Sequence, residues 1–167
     1  MRIPFPAYEE DYNKHWNYVS FKGKVVLDLG ADYGSTAYFF HSKGAKKIVA
    51  VEGLPSYYEK LLDNARKWKY VFPVNKWIKS SEDIDSLIKQ FKPDIVKIDI
   101  EGAEINLVHC NFLKDVKEWL IEAHAKDVHE LIIKTFSELG FNIVKDLHFL
   151  SNDLPSGWIS VISDNKV

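Results

Sequence analysis

Cysteine is nearly absent from this 167-residue chain: Cys110 stands alone, so no internal disulfide can form. A cysteine-based metal site would need histidine or carboxylate partners. Cys110 lies beside Leu107, Val108 and Phe112, which marks it as an inert thiol in the core or on a helix face. Long apolar runs are missing too. None approaches the ~20 residues of a membrane span. The start, Met1-Arg-Ile-Pro-Phe-Pro followed by Glu9-Glu10-Asp11, breaks the apolar stretch a signal peptide needs. The expectation is a cytoplasmic soluble protein with no membrane partner. There is no surplus of positive charge either. The formal net charge is −2, so composition does not favour nucleic acid as a partner. The small cluster Lys43, Lys46 and Lys47 reads as a solvated helix end.

What is present is the balance of a globular protein, 46% hydrophobic and 28% charged, at a length that suits one domain. Short β-rich runs alternate with amphipathic stretches. Lys24-Val-Val-Leu-Asp28 reads as a buried parallel strand ending in an acid and then Gly30. A helix is predicted over Ser35–Ser42, with Ser35 capping its start and Gly44 ending it. Lys47–Glu52 is a second strand. Pro55 opens a helix whose apolar face is Tyr58, Leu61, Leu62, Ala65 and Trp68. Tyr70–Val74 contains Pro73, which places that strand near a sheet edge. Ser80 and Asp83 form a capping pair before Ile84, Leu87 and Ile88.

Asp94–Asp99 and Glu118–Ala123 are the fourth and fifth strands, and another helix is expected between them. Asp127 and Glu130 open a further helix with Val128, Leu131, Ile132, Phe136 and Leu139 on its face. Phe141–Leu147 and Gly157–Ile162 follow as two strands, joined by a loop holding Asn152, Asp153, Pro155 and Ser156. The order demands a doubly wound α/β sheet, mostly parallel, with helices on both faces and a C-terminal antiparallel hairpin. Residues 23–167 make this domain. Residues 1–22 form an N-terminal helical arm, with Tyr8, Tyr12, Trp16 and Val19 at helical spacing. That arm either covers a sheet face or closes over a ligand cleft.

Ligands of open α/β sheets bind beyond the carboxyl ends of the strands, where strand order reverses. Asp28, Glu52 and Asp99 all end strands at that rim. Three carboxylates there suit a ligand with an amino group, ribose hydroxyls and a sulfonium, and disfavour phosphate. The first loop, Asp28-Leu-Gly-Ala-Asp-Tyr-Gly34, has two glycines four apart with Asp32 between them. It lacks the G-x-G-x-x-G pattern that seats a pyrophosphate. Glu52 stands where an acid accepts hydrogen bonds from ribose hydroxyls, a position common to several nucleotide-type ligands.

Val26–Ser35, Gly44–Glu52 and the segment Val96-Lys-Ile-Asp-Ile-Glu-Gly-Ala-Glu104 resemble the FkbM family of methyltransferases, with Ile121-Glu-Ala-His124 similar to its fifth-strand motif. The resemblance runs roughly from Gly23 to Gly140 and is most specific in Lys97–Glu104. It implies a Rossmann-like class I methyltransferase fold, S-adenosylmethionine as donor, and usually O-methylation of a hydroxyl. By this resemblance Asp28, Gly30, Ala31, Asp32 and Gly34 would line the methionine moiety. Glu52 would hold the ribose, with Gly53 and Leu54 near the adenine. Asp99 and Glu101 would sit where donor and acceptor meet. Two departures stand out: the family commonly has Asn where Asp32 stands and Pro where Gly53 stands.

Asp99, Glu101 and His124 are the candidate catalytic residues. Lys97 and Asp99 share one face of a strand, so an ion pair between them would fix Asp99 and blunt it as a base. His124 ends the fifth strand, and imidazole has an ordinary pKa suited to accepting a proton near neutrality. Nothing in the spacing of Asp99, Glu101 and His124 demands a metal. The leading expectation is an O-methyltransferase acting on a small-molecule or glycan acceptor. A non-catalytic S-adenosylmethionine-binding module and an RNA methyltransferase are the alternatives. Isothermal titration is expected to show S-adenosylmethionine or its demethylated product binding, while NAD gives no binding heat.

Overall fold

The computed structural model describes residues 12–148 and 158–164. Its seven strands are β1 (Val25–Leu29), β2 (Lys47–Glu52), β3 (Val71–Asn75), β4 (Ile95–Ile98), β5 (Glu118–Ala123), β6 (Asn142–His148) and β7 (Trp158–Ser163). They form one sheet in the order β3-β2-β1-β4-β5-β7-β6. The first five run parallel, whereas β7 is antiparallel to both β5 and β6. Strand order reverses between β1 and β4, which leaves a crevice beyond their carboxyl ends.

The α-helices are α1 (Tyr12–His15), α2 (Ser35–Ser42), α3 (Pro55–Ala65), α4 (Ser81–Phe91) and α5 (Lys126–Glu138). Side chains alternate across the parallel strands, so the sheet feeds two cores. Leu27, Leu29, Val49, Val51, Val96, Ile98 and Trp119 pack with Ile84, Leu87, Ile132 and Phe136 from α4 and α5. Val26, Ile48, Ala50, Ile95 and Leu120 pack with Ala37, Phe40 and Leu61 from α2 and α3. Trp16 and Phe21 join this second core, and Phe21 stacks on Phe40 with centroids 4.8 Å apart.

Strand alternation also puts two charges on the second face. Asp28 of β1 and Lys97 of β4 are register partners, both fully buried. The Lys97 ammonium lies 3.3 Å from Asp28 and 3.6 Å from Asp99, and donates to the carbonyl of Gly30 at 2.7 Å. Trp16 covers it, with the ammonium 5.6 Å from the ring centroid. Asp28 also accepts from the Thr36 hydroxyl of α2 at 2.6 Å. A lone buried ammonium would be costly; two carboxylates and a carbonyl compensate it. Burial alone would lower its pKa, but Asp28 and Asp99 outweigh that and hold the ammonium above the ordinary lysine range.

The predicted spans of α2, β2 and β5 hold residue for residue, and most other strands shift by one position. β3, with Pro73, is the edge strand expected of it. Five details differ. Ser80 precedes α4 but makes no side-chain cap there. Ser35 does not cap α2: Gly34, in a left-handed conformation at φ 93°, precedes the helix, and Ser35 accepts a hydrogen bond from Tyr12 instead. No α-helix links β4 to β5; two 3-10 helices, Ala103–His109 and Leu113–Asp115, make that crossover. Asp85 of α4 holds it by accepting from the backbone amides of Asn111 and Phe112. Leu131 is exposed, because α5 turns His129, Ile132 and Phe136 inward. Trp68 lies past the end of α3. Tyr8 and the β6–β7 loop, with Asn152, Asp153, Pro155 and Ser156, lie outside the described residues.

Cys110 donates weakly to carbonyls of Asn106 and Ser81, and burial pushes its thiol up to about 12, so it stays an unreactive thiol at neutral pH. Lys97→Met is expected to cost about 3–5 kcal/mol in denaturant unfolding, by leaving Asp28 buried without its cation. The double change Asp28→Asn with Lys97→Met should recover part of that loss.

Candidate functional site

A cleft of about 550 Å³ opens at the carboxyl ends of β1, β2 and β4. It falls in the range of small-molecule sites. Four segments wall it: the turn after β1, the segments after β2 and β3, and the turn after β4.

The first loop is held tightly. Gly30 has φ 77°, and a Cβ there would fall 1.7 Å from the Asp99 carbonyl oxygen, so only glycine lets the β1 and β4 ends approach this closely. Asp32 adopts φ 52°, a left-handed conformation that Asn and Asp tolerate best among residues with a side chain. This gives the family's usual Asn at that place a conformational reason. Glu52 ties the first loop to the second: one carboxylate oxygen accepts from the Asp32 amide at 3.0 Å, the other from the Leu54 amide at 2.7 Å. A carboxylate has about four acceptor positions, so capacity remains for a ligand hydroxyl.

Of the sequence-predicted cofactor residues, Gly30, Asp32, Glu52, Gly53 and Leu54 line this cleft. Asp28, Ala31 and Gly34 do not. Asp28 sits beneath the loop on Lys97 and Thr36, Ala31 is wholly buried, and the space beside Gly34 belongs to Leu61 and Trp68. None of the described arm residues, 12–22, lines the cleft.

Tyr57, Trp77 and Ile78 complete the apolar wall near Glu52 and Leu54, and sequence reasoning missed all three. Trp77 packs against Gly53, where a Cβ would meet its ring at 2.8 Å. The family's usual Pro at 53 would therefore collide with Trp77, and Gly53 and Trp77 form a matched pair. An aromatic residue just past the third strand was the available signal. Lys76, also at the cleft, is engaged by Asp83 at 2.7 Å.

On the other side stand the residues expected to be catalytic. Asp99 directs one oxygen to Lys97 and the other to His124 Nε2, each at 3.6 Å. Glu101, at φ 53°, lies with a carboxylate oxygen 3.6 Å from the same Nε2. The three groups thus converge, with Asp99 and Glu101 lining the cleft and His124 at its border. Glu104, fully buried, underpins them. Its carboxylate accepts from the amides of Ile100 and Gly102 and from His124 Nδ1 at 3.1 Å. Burial pushes Glu104 up, but the His124 and backbone hydrogen bonds prevail and hold it below the usual range. Conversely, the Glu104 hydrogen bond raises His124 to about 9, against the opposing pull of burial, with Asp99 and Glu101 adding to the rise. The expectation of an imidazole poised to accept a proton at neutrality is corrected: with this carboxylate at Nδ1 the ring stays protonated there.

Comparison with known proteins agrees with this geometry. Residues 71–143 match the Methyltransferase FkbM domain. A relative, uncharacterized protein 65 of Sulfolobus islandicus filamentous virus (isolate Iceland/Hveragerdi), is 27% identical over 121 residues, 70% of each chain. A structure of a protein in the NADB-Rossmann superfamily from Streptococcus agalactiae superposes with a TM-score of 0.70 at 18% identity. That match covers 90% of this chain, which spans 66% of the other. TrmK of M. capricolum, solved with S-adenosyl-homocysteine, gives a TM-score of 0.71 at 17% identity over 92% of this chain and 67% of its own. Proteins named as RNA methyltransferases also share the fold. Residues 71–143 thus match a methyltransferase FkbM domain, within a chain whose Rossmann-like fold is similar to that of methyltransferases of known structure.

Proposed function

We propose that the chain methylates a hydroxyl group on a small molecule or glycan, using S-adenosylmethionine held between the loops after β1 and β2. The observation that carries this reading is the convergence of Asp99 and Glu101 on the cleft that Glu52 borders. The residues present fit the donor: Glu52 retains acceptor capacity for ribose hydroxyls, Tyr57, Trp77 and Ile78 offer an apolar wall for a purine, and Gly30 and Asp32 line the remainder.

When bound, the donor would supply an electrophilic methyl for the acceptor oxygen, the C–S electron pair leaving with sulfur. The chain's part is to bind, orient and remove a proton. The hydroxyl proton passes to a carboxylate oxygen of Asp99 or Glu101, since both line the cleft and His124 already carries a proton. Glu101 is the freer base, because Lys97 holds Asp99 from behind. His124 sets the separation of the two carboxylates.

Charge supports a neutral acceptor over a polyanion. Asp32, Glu52, Asp99 and Glu101 line the cleft, while Lys76, its lysine, is committed to Asp83. A phosphate backbone would be repelled from such a wall.

Incubation with S-adenosylmethionine and a panel of hydroxylated acceptors should release demethylated donor, and Glu101→Gln should lower turnover by about 10²–10⁴-fold as loss of a general base does. Donor binding without methylation of any acceptor would instead identify a binding module, and salt-sensitive RNA methylation would identify RNA as the substrate. Glu52→Ala is expected to weaken donor binding by about 1–3 kcal/mol in isothermal titration. Unchanged affinity would remove Glu52 from the site.

A further inference from the structure

We infer that Asp99, Glu101 and His124 form a binding site for one divalent first-row transition ion of the Mn²⁺ class. One ligand atom from each lies within 4.8 Å of the other two. His124 Nε2 is 3.6 Å from an oxygen of Asp99 and 3.6 Å from an oxygen of Glu101. Those separations are too long for hydrogen bonds. They match the spacing of atoms that share an ion: at bond lengths of about 2.0–2.2 Å, two ligands on one metal stand about 3.0–4.4 Å apart.

The independent support is how the imidazole is held. Its Nδ1 is bound by Glu104, a carboxylate with no exposure that is itself fixed by the amides of Ile100 and Gly102. Metal-binding histidines are oriented in this way, with the far nitrogen tied to a carboxylate so that the near one faces the ion. Asp99 divides its oxygens likewise: one goes to Lys97, and the other is left to face Nε2. Glu101, with a side chain 86% exposed, can rotate inward to complete the set.

One imidazole and two carboxylates suit a transition ion better than calcium or magnesium, which take oxygen ligands. Three protein ligands leave coordination positions open toward the cleft, as in catalytic sites and unlike closed structural ones. Binding transfers the Nε2 proton to solvent and leaves the neutral ring as ligand. If the cleft methylates a hydroxyl, a step that rests on the function proposed above, the ion would draw in the acceptor oxygen and ease loss of its proton.

The test uses the full chain, stripped with a chelator and free of donor and acceptor, so it does not depend on turnover. Mn²⁺ alone is titrated and the free-ion electron paramagnetic resonance signal is followed. One equivalent of Mn²⁺ should disappear into the protein. Glu101→Gln, an exposed change that leaves packing intact, and His124→Asn should each weaken binding at least tenfold. An undiminished free-ion signal, or Glu101→Gln binding as tightly as the parent, would overturn the site. Loss of methylation with Mn²⁺ binding retained would count only against the proposed reaction.

Discussion

The buried ammonium of Lys97 joins the parts of this protein that have to work together. It lies between β1 and β4, where the strand order reverses, and binds the Asp28 carboxylate, the Gly30 carbonyl and Asp99. Those groups belong respectively to the core, the first loop and the acidic side of the cleft. A charge with no exposure cannot shift toward water, so its partners are held where they are. The close approach at Gly30 is a second expression of the same constraint, since the loop presses directly on the backbone of Asp99.

From that anchor the cleft divides into two chemically different walls. Toward β2 and β3 it is shaped by Glu52 and faced by Trp77, Tyr57 and Ile78, a surface suited to a nucleoside. Toward β4 and β5 it is ionic, with Asp99, Glu101 and His124 braced by Glu104. Glu52 and Glu104 work alike although they serve opposite walls. Each is a poorly exposed carboxylate that receives backbone amides from the loop it supports, which fixes loop shape without covering the cleft. Glu104 lies behind the cleft and keeps His124 oriented, whereas Glu52 also faces the cleft itself.

The divided roles of the acidic residues separate what was legible from what was not. The strand-end positions of Asp28, Glu52 and Asp99 followed from hydrophobic runs that end in an acid. Their destinations did not: Glu52 and Asp99 line the cleft, whereas Asp28 is buried against Lys97. The direction of a strand-end side chain depends on which strand pairs beside it, and periodicity within one segment carries no record of that. Trp77 was missed for a related reason. It lies in a segment with no periodic signal and gains its place only by packing against Gly53. His124 follows β5 beside Asp99 and Glu101, but its proton affinity depends on Glu104, twenty positions earlier in the chain.

The sequence by itself determined the alternation of strands and helices, the edge position of β3, the antiparallel end of the sheet and the absence of a pyrophosphate loop. These follow from apolar period, proline and glycine placement, and chain order, all of which are local properties. Tertiary structure alone decided that the β4–β5 crossover is built of 3-10 turns, that Lys97 unites Asp28 with Asp99, and that Asp99, Glu101 and His124 meet at one point. Each of these depends on distances between segments far apart in the chain, and such distances exist only once the sheet has fixed its strand order and register.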